Sequence, residues 1–113
     1  LHPSPATIAA HTDDDFAVAI ARIENHYMVH RGWLEEGQLI AHAGRLRDIP
    51  GIIVQGRYDM CTPPAAAWDL HRAWPEARLE IVHGGHLFSE PEVLDGLIRA
   101  SDEFAGGASL RGA

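Results

Sequence analysis

Apolar positions follow two regimes along the chain: helical spacing up to about residue 48, then short strand-like runs alternating with helices. Phe16, Ile20, Ile23 and Tyr27 recur at steps of four, three and four residues, which puts them on one stripe of a helix. Thr12 and Asp15 have the spacing of a capping box, and Asp13, Asp14 and Asp15 place negative charge at the positive end of the helix dipole. Gly32 is the expected stop. Leu39, Ala43 and Leu46 repeat the helical spacing, and Pro50 closes that segment because the residue before a proline is pushed out of the α region. Residues 1–11, with Pro3 and Pro5 and little periodicity, read as a linker.

Beyond Pro50 the pattern changes. Ile52-Ile53-Val54 is a short apolar strand, followed by Gly56 and the polar loop Arg57-Tyr58-Asp59. Pro63-Pro64 starts a helix over 65–74, on which Trp68 and Trp74 are expected core residues. Leu79, Ile81 and Val82 form a second strand; Gly84-Gly85-His86 and a helix over 91–104 follow. A strand, a short helix and a strand make a crossover between parallel strands, so the fold class is α/β. Both strands then point the same way, and the loops leaving their C-terminal ends emerge on one edge of the sheet. Asp59 and His86, 27 residues apart, both lie on those loops. A parallel sheet needs more than two strands and cover on both faces, so this segment reads as the end of something larger.

Composition narrows the function classes. The 113 residues carry 9 Lys+Arg against 16 Asp+Glu, a formal charge of −7, with no basic cluster for a phosphate backbone or an anionic membrane surface. No apolar run approaches the roughly 20 residues that cross a bilayer, and the first residues lack the basic start and apolar stretch of a targeting peptide. Cys61 is the single cysteine, which rules out an internal disulfide and fits a reducing, cytoplasmic compartment. His26 and His30 stand four apart, as in a helical metal pair, but no third ligand accompanies them, so neither a metal nor an organic cofactor is expected.

An aspartate followed by a histidine at the C-terminal edge of a parallel sheet matches the last two members of the α/β-hydrolase order Ser, Asp, His. Histidine titrates near neutrality and can take a proton from a hydroxyl and return it to a leaving group. A carboxylate fixes its tautomer and stabilises the imidazolium. His83 competes with His86 for the base, and the Gly-His step favours His86. The serines, Ser4, Ser89, Ser101 and Ser109, do not sit in Gly-x-Ser-x-Gly, and no His-Gly-Gly oxyanion loop precedes a helix. The chain by itself is therefore expected to be unable to form an acyl-enzyme. Cys61, two residues from Asp59, reads either as a small apolar filler or as a thiol close enough to report on the site.

The runs Ala21-Arg22-Ile23-Glu24-Asn25-His26-Tyr27, Ile49-Pro50-Gly51-Ile52-Ile53-Val54-Gln55-Gly56-Arg57-Tyr58-Asp59, Ala67-Trp68-Asp69-Leu70 and Ala73-Trp74-Pro75-Glu76-Ala77 resemble the C-terminal part of the prolyl aminopeptidase (proline iminopeptidase) family. The resemblance covers about residues 12–105. It implies a serine peptidase that releases N-terminal proline from peptides without a cofactor. Residues 1–48 would be the end of a helical cap domain, and residues 49–113 the C-terminal part of the catalytic core. By the same resemblance Asp59 and His86 are the triad acid and base. Glu24 is a cap glutamate holding the substrate's terminal ammonium. Met28, one turn later, stands where relatives often carry an aromatic lining the proline pocket. The nucleophile and oxyanion hole belong to an N-terminal half outside these residues. The rival readings are another α/β hydrolase of esterase or epoxide hydrolase type, and a non-catalytic fragment or module that binds a partner through an unpaired strand edge.

Overall fold

Two short parallel strands carry the architecture, and a computed structural model describes residues 5–11 and 14–106 of it. The chain forms two compact units, Leu1–Gln38 and Leu39–Ala113.

In the N-terminal unit, helix α1 runs Pro5–His11 and helix α2 runs Asp14–Val29. The linker expected over 1–11 is thus corrected for residues 5–11. Pro5 opens the helix instead of breaking it, because a first-turn residue has no intrahelical N–H bond to lose, and Ala6 and Ala9 are strong helix formers. Asp14 and Asp15 fall in the first turn of α2 and complement its dipole, whereas Thr12 of the capping box lies outside the described residues. None of the residues of α2 is buried, so the stripe of Phe16, Ile20, Ile23 and Tyr27 is helical but exposed within this chain.

After α2 the backbone turns sharply. Arg31, Gly32 and Trp33 form one 3-10 turn with φ of +52°, +59° and +57°. Only Gly32 adopts that left-handed region without a Cβ penalty, which for each of the other two is about 1–2 kcal/mol. The Trp33 ring offsets it. It stacks on His30 at 5.3 Å between centroids and meets Tyr27 and His26 edge-on at 5.2 and 5.4 Å.

Helix α3 (Gln38–His42) runs into a 3-10 turn, Ala43–Leu46, in which Ala43 is buried. Strand β1 (Ile52–Gly56), helix α4 (Pro64–Ala73), strand β2 (Arg78–Val82) and helix α5 (Pro91–Ala105) complete the C-terminal unit. The strands pair in parallel from Ile52 opposite Arg78 to Gly56 opposite Val82. Both α4 and α5 pack against both strands, and the 43–46 turn packs on α4. Gly96 lets α5 approach closely, since a Cβ there would lie 2.9 Å from Val54 Cγ1. The same helix is tied to β2 by Arg78 with Glu103 and by Arg99 with Glu80.

Among the described residues the buried apolar side chains are Ala43, Ala67, Ala77, Val93 and Ala100, all small. Trp68 is a correction: it is 53% exposed on α4, not core. Trp74, expected on the same helix and in the core, lies just past the end of α4 and is half-buried over Gly51, where a Cβ would come within 2.1 Å of the indole ring. No helix among the described residues is long and apolar enough to cross a membrane.

Candidate active site

Because β1 and β2 are parallel, the chain leaves both at the same edge, and ladder-like bonding continues beyond them. The Arg57 amide donates to the Val82 carbonyl at 2.9 Å, and the Tyr58 amide to the Gly84 carbonyl at 2.9 Å. Gly56 makes that approach possible. A Cβ on it would lie 2.0 Å from the Gly85 carbonyl oxygen and 2.9 Å from that of Gly84. Gly84 is pressed in turn against α5, where a Cβ would fall 2.6 Å from Val93 Cγ2. The two loops are thereby held side by side.

This apposition brings Asp59 and His86 together, with Nδ1 of the imidazole 3.1 Å from each carboxylate oxygen. Asp59 is only 6% exposed, and its own loop satisfies it. Oδ1 accepts from the amides of Cys61 (2.9 Å) and Thr62 (2.8 Å), and Oδ2 accepts from the Thr62 hydroxyl (2.7 Å). Burial pushes the carboxyl upward, but the Thr62 hydroxyl and amide, the His86 ring and the Cys61 amide outweigh it and hold Asp59 well below the usual carboxylate range. A carboxylate at Nδ1 assigns the proton of a neutral ring to that nitrogen and leaves the Nε2 lone pair available. The His86 side chain is 49% exposed, and Nε2 has no hydrogen bond among the described residues. A base anchored on one side and open on the other can accept a proton from a group delivered to it.

The depressed carboxyl has a consequence for stability. An unfolded Asp titrates near 3.9, so the contribution of Asp59 is complete above that value and is lost as the pH falls from there toward the lower folded value. Urea unfolding followed over about pH 6 to 2 is expected to give a falling midpoint, with a shallower fall in Thr62→Val, which lacks the hydroxyl donor.

His86 is positioned by a residue that sequence reasoning missed. The Glu90 carboxylate accepts from the amides on either side of His86, Gly85 at 2.8 Å through Oε2 and Leu87 at 3.2 Å through Oε1. The signal was a carboxylate just before Pro91, at the N-cap of α5. Glu90→Ala is expected to speed hydrogen exchange of the Gly85 and Leu87 amides by about tenfold, with a smaller effect for Glu90→Gln, which keeps one acceptor oxygen. Unchanged exchange would remove the positioning role. Thr62 was missed too, although an aspartate followed three residues later by threonine is a recognisable turn pattern.

His83, the rival base, does not face Asp59. Its Nε2 lies 2.8 Å from the Tyr58 hydroxyl, with the two rings edge-on at 4.9 Å. Glu24 and Met28 lie in the N-terminal unit, one turn apart on α2, and both are exposed. His26 and His30 meet edge-on at 4.9 Å, and no third metal-ligating side chain joins them among the described residues.

No family model matches the chain. It is 52% identical over 107 residues to a proline iminopeptidase of Xanthomonas citri, an alignment covering 93% of this chain and 34% of that protein. Proline iminopeptidases of Xylella fastidiosa (strain Temecula1) and Arabidopsis thaliana are 52% and 44% identical over 99 and 105 residues, covering 86% and 91% of this chain. The chain spans about a third of the length of these curated relatives, 34%, 32% and 28% of each. Over most of its length, then, it is homologous to a portion of the proline iminopeptidases.

Proposed function

We propose that this chain is the C-terminal third of a proline iminopeptidase of α/β-hydrolase type. It supplies the acid and base of a Ser-His-Asp triad whose serine stands in the remaining two thirds. The observation that carries this reading is the 3.1 Å contact of His86 with an almost fully buried Asp59, on the two loops that leave parallel strands at one edge. The chain order, aspartate before histidine, is that of α/β hydrolases.

On this reading His86 Nε2 takes the proton of the serine as it attacks the prolyl carbonyl, then returns it to the leaving amine. Asp59 keeps the ring in the tautomer that makes this possible and stabilises its cationic form. Water repeats the cycle on the acyl-enzyme. Glu24, in the cap segment 1–48, pairs with the free ammonium of the substrate and so restricts cleavage to the first residue, while Met28 contributes apolar surface to the proline pocket. The substrate is a peptide with N-terminal proline, and no metal or organic cofactor is needed. None of Ser4, Ser89, Ser101 and Ser109 lies in a nucleophile motif, so the chain alone does not hydrolyse.

The test is a chimera in which this chain replaces the matching third of the Xanthomonas citri relative. The chimera is expected to hydrolyse proline 4-nitroanilide, and the isolated chain is not. Glu24→Gln in the chimera is expected to raise KM about tenfold for substrates with a free N-terminus, through loss of a charge-assisted hydrogen bond. An unchanged KM would favour an esterase-type hydrolase instead.

A further inference from the structure

We propose that Asp59, Cys61 and His86 form a binding site for one thiophilic divalent cation of the Zn2+ class. One donor atom from each of the three residues lies within 4.8 Å of the other two, and no other such group occurs among the described residues. The inference goes beyond the peptidase reading and does not depend on it, since it needs neither a serine nor a substrate.

The donor set selects the cation. A carboxylate alone would suit a hard ion such as Mg2+ or Ca2+, whereas a thiolate with an imidazole suits zinc and its neighbours. Three protein ligands leave a fourth, open position for water. The geometry is close to what zinc requires. In a tetrahedral site with Zn–N and Zn–O of about 2.0 Å, those two ligand atoms stand about 3.3 Å apart. The His86 Nδ1 and Asp59 oxygens already stand 3.1 Å apart. The cation therefore takes the place of the proton between them with little movement. Cys61 closes the third side by side-chain rotation, because its thiol is exposed while its backbone is anchored to Asp59 Oδ1 through its amide. The Thr62 hydroxyl on Oδ2 remains as the outer hydrogen bond that orients the carboxylate ligand.

The protons balance. The imidazole keeps one proton, which moves from Nδ1 to Nε2, and the Cys61 thiol releases its proton to solvent as it becomes a thiolate. A ring protonated at Nε2 cannot accept a proton there, so occupancy and the base role assigned to His86 exclude each other.

The experiment titrates the 113-residue chain with Co2+ as a spectroscopic stand-in for zinc. A one-to-one complex is expected, with a thiolate-to-cobalt charge-transfer band in the near ultraviolet that Zn2+ abolishes on displacement. Cys61→Ser is expected to remove that band, and Cys61→Ser and His86→Gln are each expected to weaken binding at least about tenfold. The double substitution His26→Ala, His30→Ala is expected to leave both unchanged. Zn2+-induced shifts of the Cys61, Thr62, Gly85 and Leu87 amide resonances in the unsubstituted chain provide a readout that does not depend on any variant folding. A saturated complex without the charge-transfer band, unweakened binding in His86→Gln, or loss of binding in the His26, His30 variant would each overturn the proposal. Hydrolysis is not measured, so this outcome is separate from that of the peptidase assay.

Discussion

His86→Ala in the Xanthomonas citri chimera is expected to lower kcat for proline 4-nitroanilide by about four orders of magnitude, with KM nearly unchanged. On the proposed mechanism the ring is the base and then the acid of each half-reaction, and without it the rate falls to what binding and oxyanion stabilisation alone supply. Asp59→Asn is expected to fall by about the same factor for a different reason. An amide presented to Nδ1 can donate a proton to it, and a ring that accepts there carries its proton on Nε2, where the serine needs a lone pair. The asparagine oxygen can still accept from the Cys61 and Thr62 amides at 2.9 and 2.8 Å, so the loop is kept while the tautomer is lost. His83→Ala supplies the contrast. Its ring bonds to Tyr58 instead of Asp59, and its rate is expected within about threefold of the unsubstituted chimera. A rate for His86→Ala within tenfold of the parent would remove His86 from the reaction.

Gly56→Ala is expected to cost the chain about 3 kcal/mol or more of unfolding free energy, at the top of the range for overpacking. The added Cβ would sit 2.0 Å from the Gly85 carbonyl oxygen and 2.9 Å from that of Gly84. Those are backbone atoms of a loop tied down by the Tyr58 amide on one side and by Glu90 on the other, so no side-chain rotation relieves the clash. Relief requires the two loops to separate, which also pulls His86 from Asp59. The comparison is Gly44→Ala, where nothing lies within 4 Å of the new atom and a change within about 0.5 kcal/mol is expected. Urea denaturation of the chain followed by circular dichroism measures both. Equal midpoints for Gly56→Ala and the parent would mean that the loops do not meet as described.

The parts of the fold written in local pattern were readable from residues. Ile52-Ile53-Val54, between Gly51 and Gly56, and Leu79, Ile81 and Val82, between Pro75 and Gly84, marked the strands, and Pro64 and Pro91 marked the starts of α4 and α5 to within a residue. The shared edge followed from the direction of the strands, and the 3.1 Å approach of Asp59 and His86 is an outcome of that topology. Two signals misled. Pro5 looked like a breaker because the few residues of α1 are too short for periodicity to show. Trp68 looked like core because size and helical position argue burial, yet burial depends on what covers the helix. Glu90 escaped because its carboxylate works on the Gly85 and Leu87 amides, partners fixed by loop conformation, and Thr62 because its amide and hydroxyl both donate to Asp59 only once the loop has folded back on the carboxylate.

The Asp59 carboxylate is furnished by its own loop: the three donors from Cys61 and Thr62 lie within three residues of it. Of the four hydrogen bonds that hold its carboxyl below the usual range, the ring it faces supplies one. A chain deprived of that imidazole would therefore keep most of what holds the anion in place.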